Sequence, residues 1–345
     1  MKRPSGDSIL KHLNERGREL SPLLILTHNH PDPDTIASAW ALSFLAERRG
    51  VRTRIVYSGV IGRMENQKMI DLLRVPIHPL RRSDLDKYHH VALVDTQPPF
   101  RNNVFPMTRQ ADIVIDHHPR HKKTRAKWVL VDPRAGATTT LLAEAVLKSG
   151  LELPARLATA LVYGIGSETQ NLGREADVRD RAIFQALFAK ASMKILAKIQ
   201  NPPRPSSFFN VLGRAIQQAF VIQRIIGVHL GNVPSQDIVA HMADFLLTHE
   251  KVRWSIVTGR HDGFLHVSLR TNNTRAEAGK LLWKILGAGS AGGHGMIAGG
   301  HLEIGRDAAE NEWQQAEEKI THAFLRSQHI KPPFELEYPF RLLNT

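Results

Sequence analysis

Residues 22–34 read Pro-Leu-Leu-Ile-Leu-Thr-His-Asn-His-Pro-Asp-Pro-Asp. The first half is a short apolar run. The second half packs two imidazoles and two carboxylates into seven residues, 28–34. An apolar run of this length closed by a polar cluster is the pattern of a strand buried on both faces. Asp34 is placed to cap a helix over residues 35–49 (TIASAWALSFLAERR), with Gly50 as its stop. Strand, polar loop and helix together open a βαβ unit.

The same pattern repeats outward. Residues 51–57 (VRTRIVY) alternate like a strand, and VALV (91–94) and IVI (113–115) are apolar runs each followed by an aspartate, Asp95 and Asp116. Residues 137–149 read as a helix that Gly150 ends. Strands alternating with helices predict an α/β fold with a mainly parallel sheet flanked by helices. In such sheets functional groups collect at the carboxyl ends of the strands. HNHPDPD (28–34), DTQPP (95–99) and DHHP (116–119) are therefore expected on one rim.

Amphipathic helices are predicted over 155–164 and 181–200, and NPPRPSS (201–207) reads as a connector with a helix after it. Strand-like segments follow at 224–231, 252–260 and 264–271, the last two joined by a hairpin turn at His261-Asp262-Gly263. A helix over 275–286 leads into the glycine-rich stretch 287–301 (GAGSAGGHGMIAGGH). A helix over 309–326 and an extended, packed-back tail over 331–345 complete the chain. The predicted division is a domain over 1–195, a linker over 196–220 holding the Pro-rich segment and a helix, and a smaller α/β domain over 221–345.

Composition narrows the function. Of 345 residues, 42% are hydrophobic and 23% charged, which excludes wholesale disorder. The absence of cysteine excludes disulfides, thiolate metal sites and a cysteine nucleophile. No apolar run approaches the roughly 18 residues of a membrane span, and residues 1–17 lack the apolar region of a secretory signal. The expectation is a cytoplasmic protein without a membrane partner. The net charge of +13 attracts polyanions such as nucleic acid or nucleotides. A basic surface that only aids solubility accounts for the charge equally well. With 18 histidines and no cysteine, a metal site has to be built from His, Asp and Glu.

Each polar cluster has a chemical and a plainer reading. The 28–34 loop can supply three metal ligands, or be a Pro-stiffened turn with a helix cap. Asp95 is a candidate ligand or an ordinary strand-end residue. Asp116-His117-His118 can supply one ligand and one phosphate-facing cation. HKKTRAK (121–127) is a funnel for anions or a solvated loop. The glycine-rich stretch lets backbone N–H groups approach phosphate oxygens, or is a flexible turn. Among the tryptophans at 40, 128, 254, 283 and 313, Trp40 and Trp283 lie in helical apolar patterns and are expected in the core.

Order adds information. H-x-x-x-D-x-D, a strand-end Asp, D-H-H-P and a helix opened by ATTT (137–140) follow one another. This succession resembles the DHH phosphoesterase family. Ser290–His294 with Met296–Gly300, downstream of HVSLRT and Arg270, is similar to the glycine-rich signature of the C-terminal domain associated with that family. The resemblance covers roughly residues 20–305. The length and the PDPD spelling resemble the nanoRNase (oligoribonuclease) and pAp-phosphatase branch. The manganese-dependent inorganic pyrophosphatases share the first motifs but carry a different C-terminal domain.

The resemblance implies specific roles. His28 and Asp32 would hold one divalent ion, and Asp34 and His117 a second, with Asp95 bridging them. His118 would lie beside the phosphate, with Asp116 orienting the imidazoles. The fourth family motif corresponds to Tyr163–Gln170, where Glu168 stands in place of the family's aspartate. Arg270, Gly292, Gly293 and His294 would bind substrate, in a cleft between the two domains. The implied cofactors are two divalent ions, Mn2+ by expectation, with Mg2+ and Co2+ as alternatives. The implied activity is hydrolysis of phosphodiester or phosphomonoester bonds in short RNA and pAp. Hydrolysis of a cyclic dinucleotide, hydrolysis of polyphosphate or pyrophosphate, and non-catalytic nucleotide binding stay open. So does the oligomeric state, with a homodimer as one option.

Overall fold

The computed structural model describes residues 5–173, 176–287 and 290–341, with the side chain of His294 outside this set. The chain divides into two compact units between Pro202 and Pro203. The predicted connector is not a single linker. Residues 196–200 complete the helix Met193–Gln200 of the first unit, and Ser206–Gln218 is a helix of the second.

The first unit holds a six-stranded sheet. Its strands are β1 (Leu23–Leu26), β2 (Thr53–Tyr57), β3 (Ile77–Pro79), β4 (His90–Val94), β5 (Ala111–Asp116) and β6 (Ala126–Val131). Their order is β3-β2-β1-β4-β5-β6, and every pairing is parallel. Alternate residues face opposite ways. Leu23 and Ile25 join the larger core on one face, while Leu24 and Leu26 join Val91, Leu93, Phe105 and Val114 on the other. The strand order reverses between β1 and β4, so their carboxyl ends flank a topological switch point, where such sheets bind ligands.

The helix Pro33–Glu47 follows β1 and is buried almost all round, from Pro33 to Ala46. Helices Thr138–Lys148 and Ala155–Glu168 pack against it. Gly164 makes that approach possible: a Cβ there would lie 2.9 Å from Ala37 Cβ and 2.7 Å from Thr139 Oγ1.

Several sequence expectations are corrected. The cap of the helix after β1 is Asp32, whose Oδ1 accepts from Thr35 N at 3.0 Å, with Pro33 in the first turn. Asp34 lies inside the helix and serves another purpose. The predicted helix over 181–200 is two helices, Val178–Phe188 and Met193–Gln200. The break falls where Ser192 caps the second helix, its own N–H donating to Thr159 Oγ1 at 2.8 Å. β3 and β6 were not foreseen: β3 is only three residues long, and β6 begins inside a run of basic residues. Trp283 is about half exposed rather than core, whereas Trp40 packs against the main core.

The second unit holds a mixed six-stranded sheet. Its strands are β7 (Phe220–Ile222), β8 (Ile225–Asn232), β9 (Trp254–His261), β10 (Phe264–Thr271), β11 (Ala291–His294) and β12 (Ile297–Glu303), in the order β11-β12-β10-β9-β8-β7. Only β8 and β9 pair in parallel. The turn between β9 and β10 is Asp262-Gly263, both with positive φ, as a two-residue hairpin turn requires. The glycine-rich stretch is not a free loop: Gly292 and Gly293 lie in β11, paired with Gly299 and Ala298 of β12.

Candidate metal centre

The loop after β1 turns at Thr27, whose hydroxyl donates to the His28 carbonyl at 3.0 Å. His28 Nδ1 lies 2.8 Å from the Asn29 carbonyl, which holds a proton on Nδ1 and turns Nε2 inward. That Nε2 is 3.8 Å from Asp32 Oδ2 and 3.6 Å from Asp95 Oδ2. His30 does not join the group: its Nδ1 lies about 3.1 Å from Val60 N, and the residue is exposed.

Asp95 immediately follows β4 with φ +60°, a left-handed conformation unusual for a residue with a Cβ. The carboxylate is buried, and both oxygens are held by hydroxyls. Thr35 Oγ1 donates to Oδ2 at 2.5 Å and Thr138 Oγ1 to Oδ1 at 2.7 Å. Asp34 is buried beside it. Thr138 N donates to Asp34 Oδ2 at 2.9 Å and Thr139 N to Oδ1 at 2.7 Å. These are the first amides of the helix Thr138–Lys148, whose positive end favours a carboxylate.

The DHH segment closes the site. His117 Nδ1 is 3.2 Å from the Ala135 carbonyl, so its Nε2 also faces inward, 3.8 Å from Asp34 Oδ2 and 3.7 Å from Asp95 Oδ1. His118 differs, because its Nδ1 is held at 2.8 Å by Asp116 Oδ1. Among the described residues two donor groups have all their ligand atoms within 4.8 Å: His28, Asp32 and Asp95, and Asp95, His117 and His118. Asp95 belongs to both. Asp34 and Glu168 are in neither group. Glu168 is the last residue of the helix Ala155–Glu168, and its charge helps to raise the His118 pKa.

The electrostatics are those of crowded carboxylates. Burial and the Asp95 charge push Asp34 up to about 7. Burial and the charges of Asp32 and Asp116, against those of His118 and His28, push Asp95 up to about 6. Burial opposes charge on His28, but the hydrogen bond and charge of Asp32 outweigh it and raise His28 to about 9. Asp32 is held below the ordinary carboxylate range: its burial is overcome by His28. His118 rises to about 10, since Asp116 and Asp95 outweigh its burial. Burial also opposes the Asp116 charge, yet hydrogen bonds from His118 and Gln97 keep its carboxyl low. Burial and carboxylate repulsion raise the buried pair Asp34 and Asp95, and a divalent cation would take the place of the protons that relieve that repulsion. The nitrogen-and-oxygen donor set suits Mn2+, Mg2+, Co2+ or Zn2+.

The threonines were the unread part of the site. Thr35 and Thr138 aim Asp95, and Thr139 aims Asp34. The ATTT opening of a helix after DHHP is the sequence signal for Thr138 and Thr139.

The second unit presents its predicted residues differently. Arg270 is buried, with Nε 2.6 Å from Asp244 Oδ1 and Nη1 donating to the carbonyls of Leu269 and Ala298. Gly293 has φ +136°, and a Cβ there would lie 2.2 Å from the Ile297 carbonyl oxygen. Gly292 faces open space. His294 has its backbone in β11, and its side chain lies outside the described residues. Lys127 of the expected basic funnel is in β6 and pairs with Asp112 at 2.8 Å, at the amino ends of β5 and β6.

A six-stranded parallel sheet with a His/Asp donor cluster at its switch point defines an α/β domain with a candidate metal site. Residues 22–165, within the first unit, match the DHH family N-terminal domain. The uncharacterized protein MJ1633 of Methanocaldococcus jannaschii is 36% identical over 90% of the chain. A probable manganese-dependent inorganic pyrophosphatase of Exiguobacterium sp. is 30% identical over 44% of it. The chain spans 64% of the first relative's length and 48% of the second's. Across both units the fold is similar to that of an exopolyphosphatase-related protein from Bacteroides fragilis, with a TM-score of 0.74 at 13% identity, covering 95% of this chain and all of that one. No described helix is long and apolar enough to cross a membrane.

Proposed function

We propose that the first unit is a two-cation phosphoesterase centre that hydrolyses phosphodiester or phosphomonoester bonds of short RNA, with pAp as a second substrate. The observation that carries this reading is Asp95, the one carboxylate common to both donor groups. In this assignment His28 and Asp32 would hold one cation, Asp34 and His117 the other, and Asp95 would be shared between them. Glu168 completes the second position from the end of its helix. Mn2+ is the expected ion. Divalent cations bound by these residues would lower the pKa of an attacking water and neutralise charge on the phosphoryl oxygens.

The chain's own groups do the rest. Thr35 and Thr138 fix both Asp95 oxygens, so the bridging carboxylate cannot swing towards either side. The carbonyls of Asn29 and Ala135 fix the tautomers of His28 and His117. Asp116 holds the His118 ring by Nδ1, and the raised pKa keeps this imidazole cationic beside where a phosphate would lie. The net charge of +13 supports an anionic substrate. Arg270, Gly292, Gly293 and His294 are proposed to contact the substrate from the second unit.

The test is a side-by-side hydrolysis assay with Mn2+ on pApA, pAp, cyclic di-AMP, pyrophosphate and a longer RNA. Turnover of pApA and pAp, and its loss by at least about a thousandfold in Asp95→Ala, is the expected result. Turnover of pyrophosphate or cyclic di-AMP alone contradicts the substrate assignment.

A further inference from the structure

One buried side chain outside the donor groups links the candidate centre to the basic loop after it. Gln97 is fully buried. Its Nε2 donates to Asp116 Oδ2 at 2.6 Å and to the Pro119 carbonyl at 3.3 Å. Its Oε1 accepts from His121 N at 2.9 Å and from Thr124 Oγ1 at 2.6 Å. Both donors and both lone pairs of the amide are used, which fixes its orientation. A reversed amide would turn its oxygen to a carboxylate and its NH2 to two donors.

The chain of contacts is continuous. His118 is held by Asp116, Asp116 by Gln97, and Gln97 holds both ends of the turn 119–124. Phe100 reinforces it, with its ring edge-on to both His118 and His121 at 6.3 Å. Gln97 is itself anchored, since its carbonyl accepts from Asn103 Nδ2 at 2.9 Å and Phe100 N at 2.8 Å. The turn displays Arg120, Lys122, Lys123 and Arg125, all exposed. None of the four forms an ion pair among the described residues.

We propose that Gln97 is a positioning residue that registers this basic turn against His118. The turn thereby becomes an arm for substrate phosphates other than the one being cleaved. The substrate class this favours carries more than one phosphate, such as an oligonucleotide. The kinetic part rests on the function proposed above; the link between Gln97 and the turn does not.

The experiment uses the full chain with Gln97→Leu, Gln97→Glu and Thr124→Val. Native trypsin digestion, read by mass spectrometry, reports cleavage after residues 120, 122, 123 and 125. Both Gln97 variants are expected to raise that cleavage rate about tenfold, with bound Mn2+ unchanged. On pApA, Thr124→Val is expected to raise KM several-fold at unchanged kcat, because it cuts only the arm to the turn. Gln97→Leu should raise KM and also lower kcat, because Asp116 loses a donor. Unchanged cleavage of the turn in folded Gln97 variants overturns the proposal, as does an equal effect of Thr124→Val and Gln97→Leu on kcat. If Gln97→Leu does not fold, Thr124→Val, which touches neither Asp116 nor His118, decides alone by its cleavage rate. If the wild type hydrolyses nothing, the digestion still tests Gln97, and only the proposed activity fails.

Discussion

Asp95 is the most constrained residue of the candidate centre. It sits at φ +60°, is buried, and has each oxygen engaged by a different threonine. Strained backbone at a buried carboxylate is retained where geometry matters. Its neighbours carry protons that a cation must displace. His28, raised to about 9 by Asp32 and Asp95 against its burial, is protonated at pH 7.5 in the metal-free protein. A ligating imidazole must be neutral, so loading Mn2+ releases at least about one proton, and affinity falls as pH is lowered below 9. Calorimetry in buffers of different ionisation enthalpy measures this directly. Binding without proton release removes His28 from the ligand set. The residues that carry this chemistry were legible in the sequence because His and Asp cluster there at short spacing. The threonines that aim them were not, since their partners lie 43 and 60 residues away along the chain.

Elements were legible where one signal dominated. Buried strands such as Leu23–Leu26, and the IVI run (113–115) inside Ala111–Asp116, announce themselves by apolar residues in sequence. Residues 181–200 did not, because amphipathic periodicity continues across the break that Ser192 makes through a long-range contact. The glycine-rich stretch reads in the sequence as a phosphate-approaching segment or a flexible turn, with no strand signal, because glycine disfavours strands. Its pairing as β11 and β12 depends on close packing that only the fold reveals: a Cβ on Gly279 would lie 2.1 Å from the Gly293 carbonyl oxygen. Gly293→Ala is therefore expected to destabilise the protein by about 2 kcal/mol or more, and Gly292→Ala by less than about 1 kcal/mol. Urea denaturation read on the second unit's tryptophans compares the two. Equal losses contradict the hairpin packing.

A second test at this scale concerns β8. His229 is largely buried beside Phe220, and burial lowers its pKa below 6.5. The unfolded chain thus takes up the proton first as pH falls, so stability declines below pH 6.5. His229→Gln, which keeps a partner for Thr258, should flatten that decline in urea midpoints measured between pH 7 and 5. An unchanged slope assigns the acid sensitivity elsewhere.

At the scale of the whole molecule, the sheet order and the site belong together. The order reversal between β1 and β4 brings the loops at 27–34, 95–103 and 116–119 to one rim, and the first unit's cores on both faces of the sheet hold them there. The parallel sheet could be foreseen from alternating strands and helices, and its rim from the three strand-end clusters. Which carboxylate would be shared could not be read from the residues alone, because sharing depends on where the side chains of β4 and β5 project. The central claim is that sharing. The measurement that tests it most directly is a crystal of the Mn2+-loaded protein, with anomalous scattering collected at the manganese edge. Two peaks about 3.5–4 Å apart with Asp95 between them are the predicted result. A single peak, or two that leave Asp95 bound to one ion only, would contradict it.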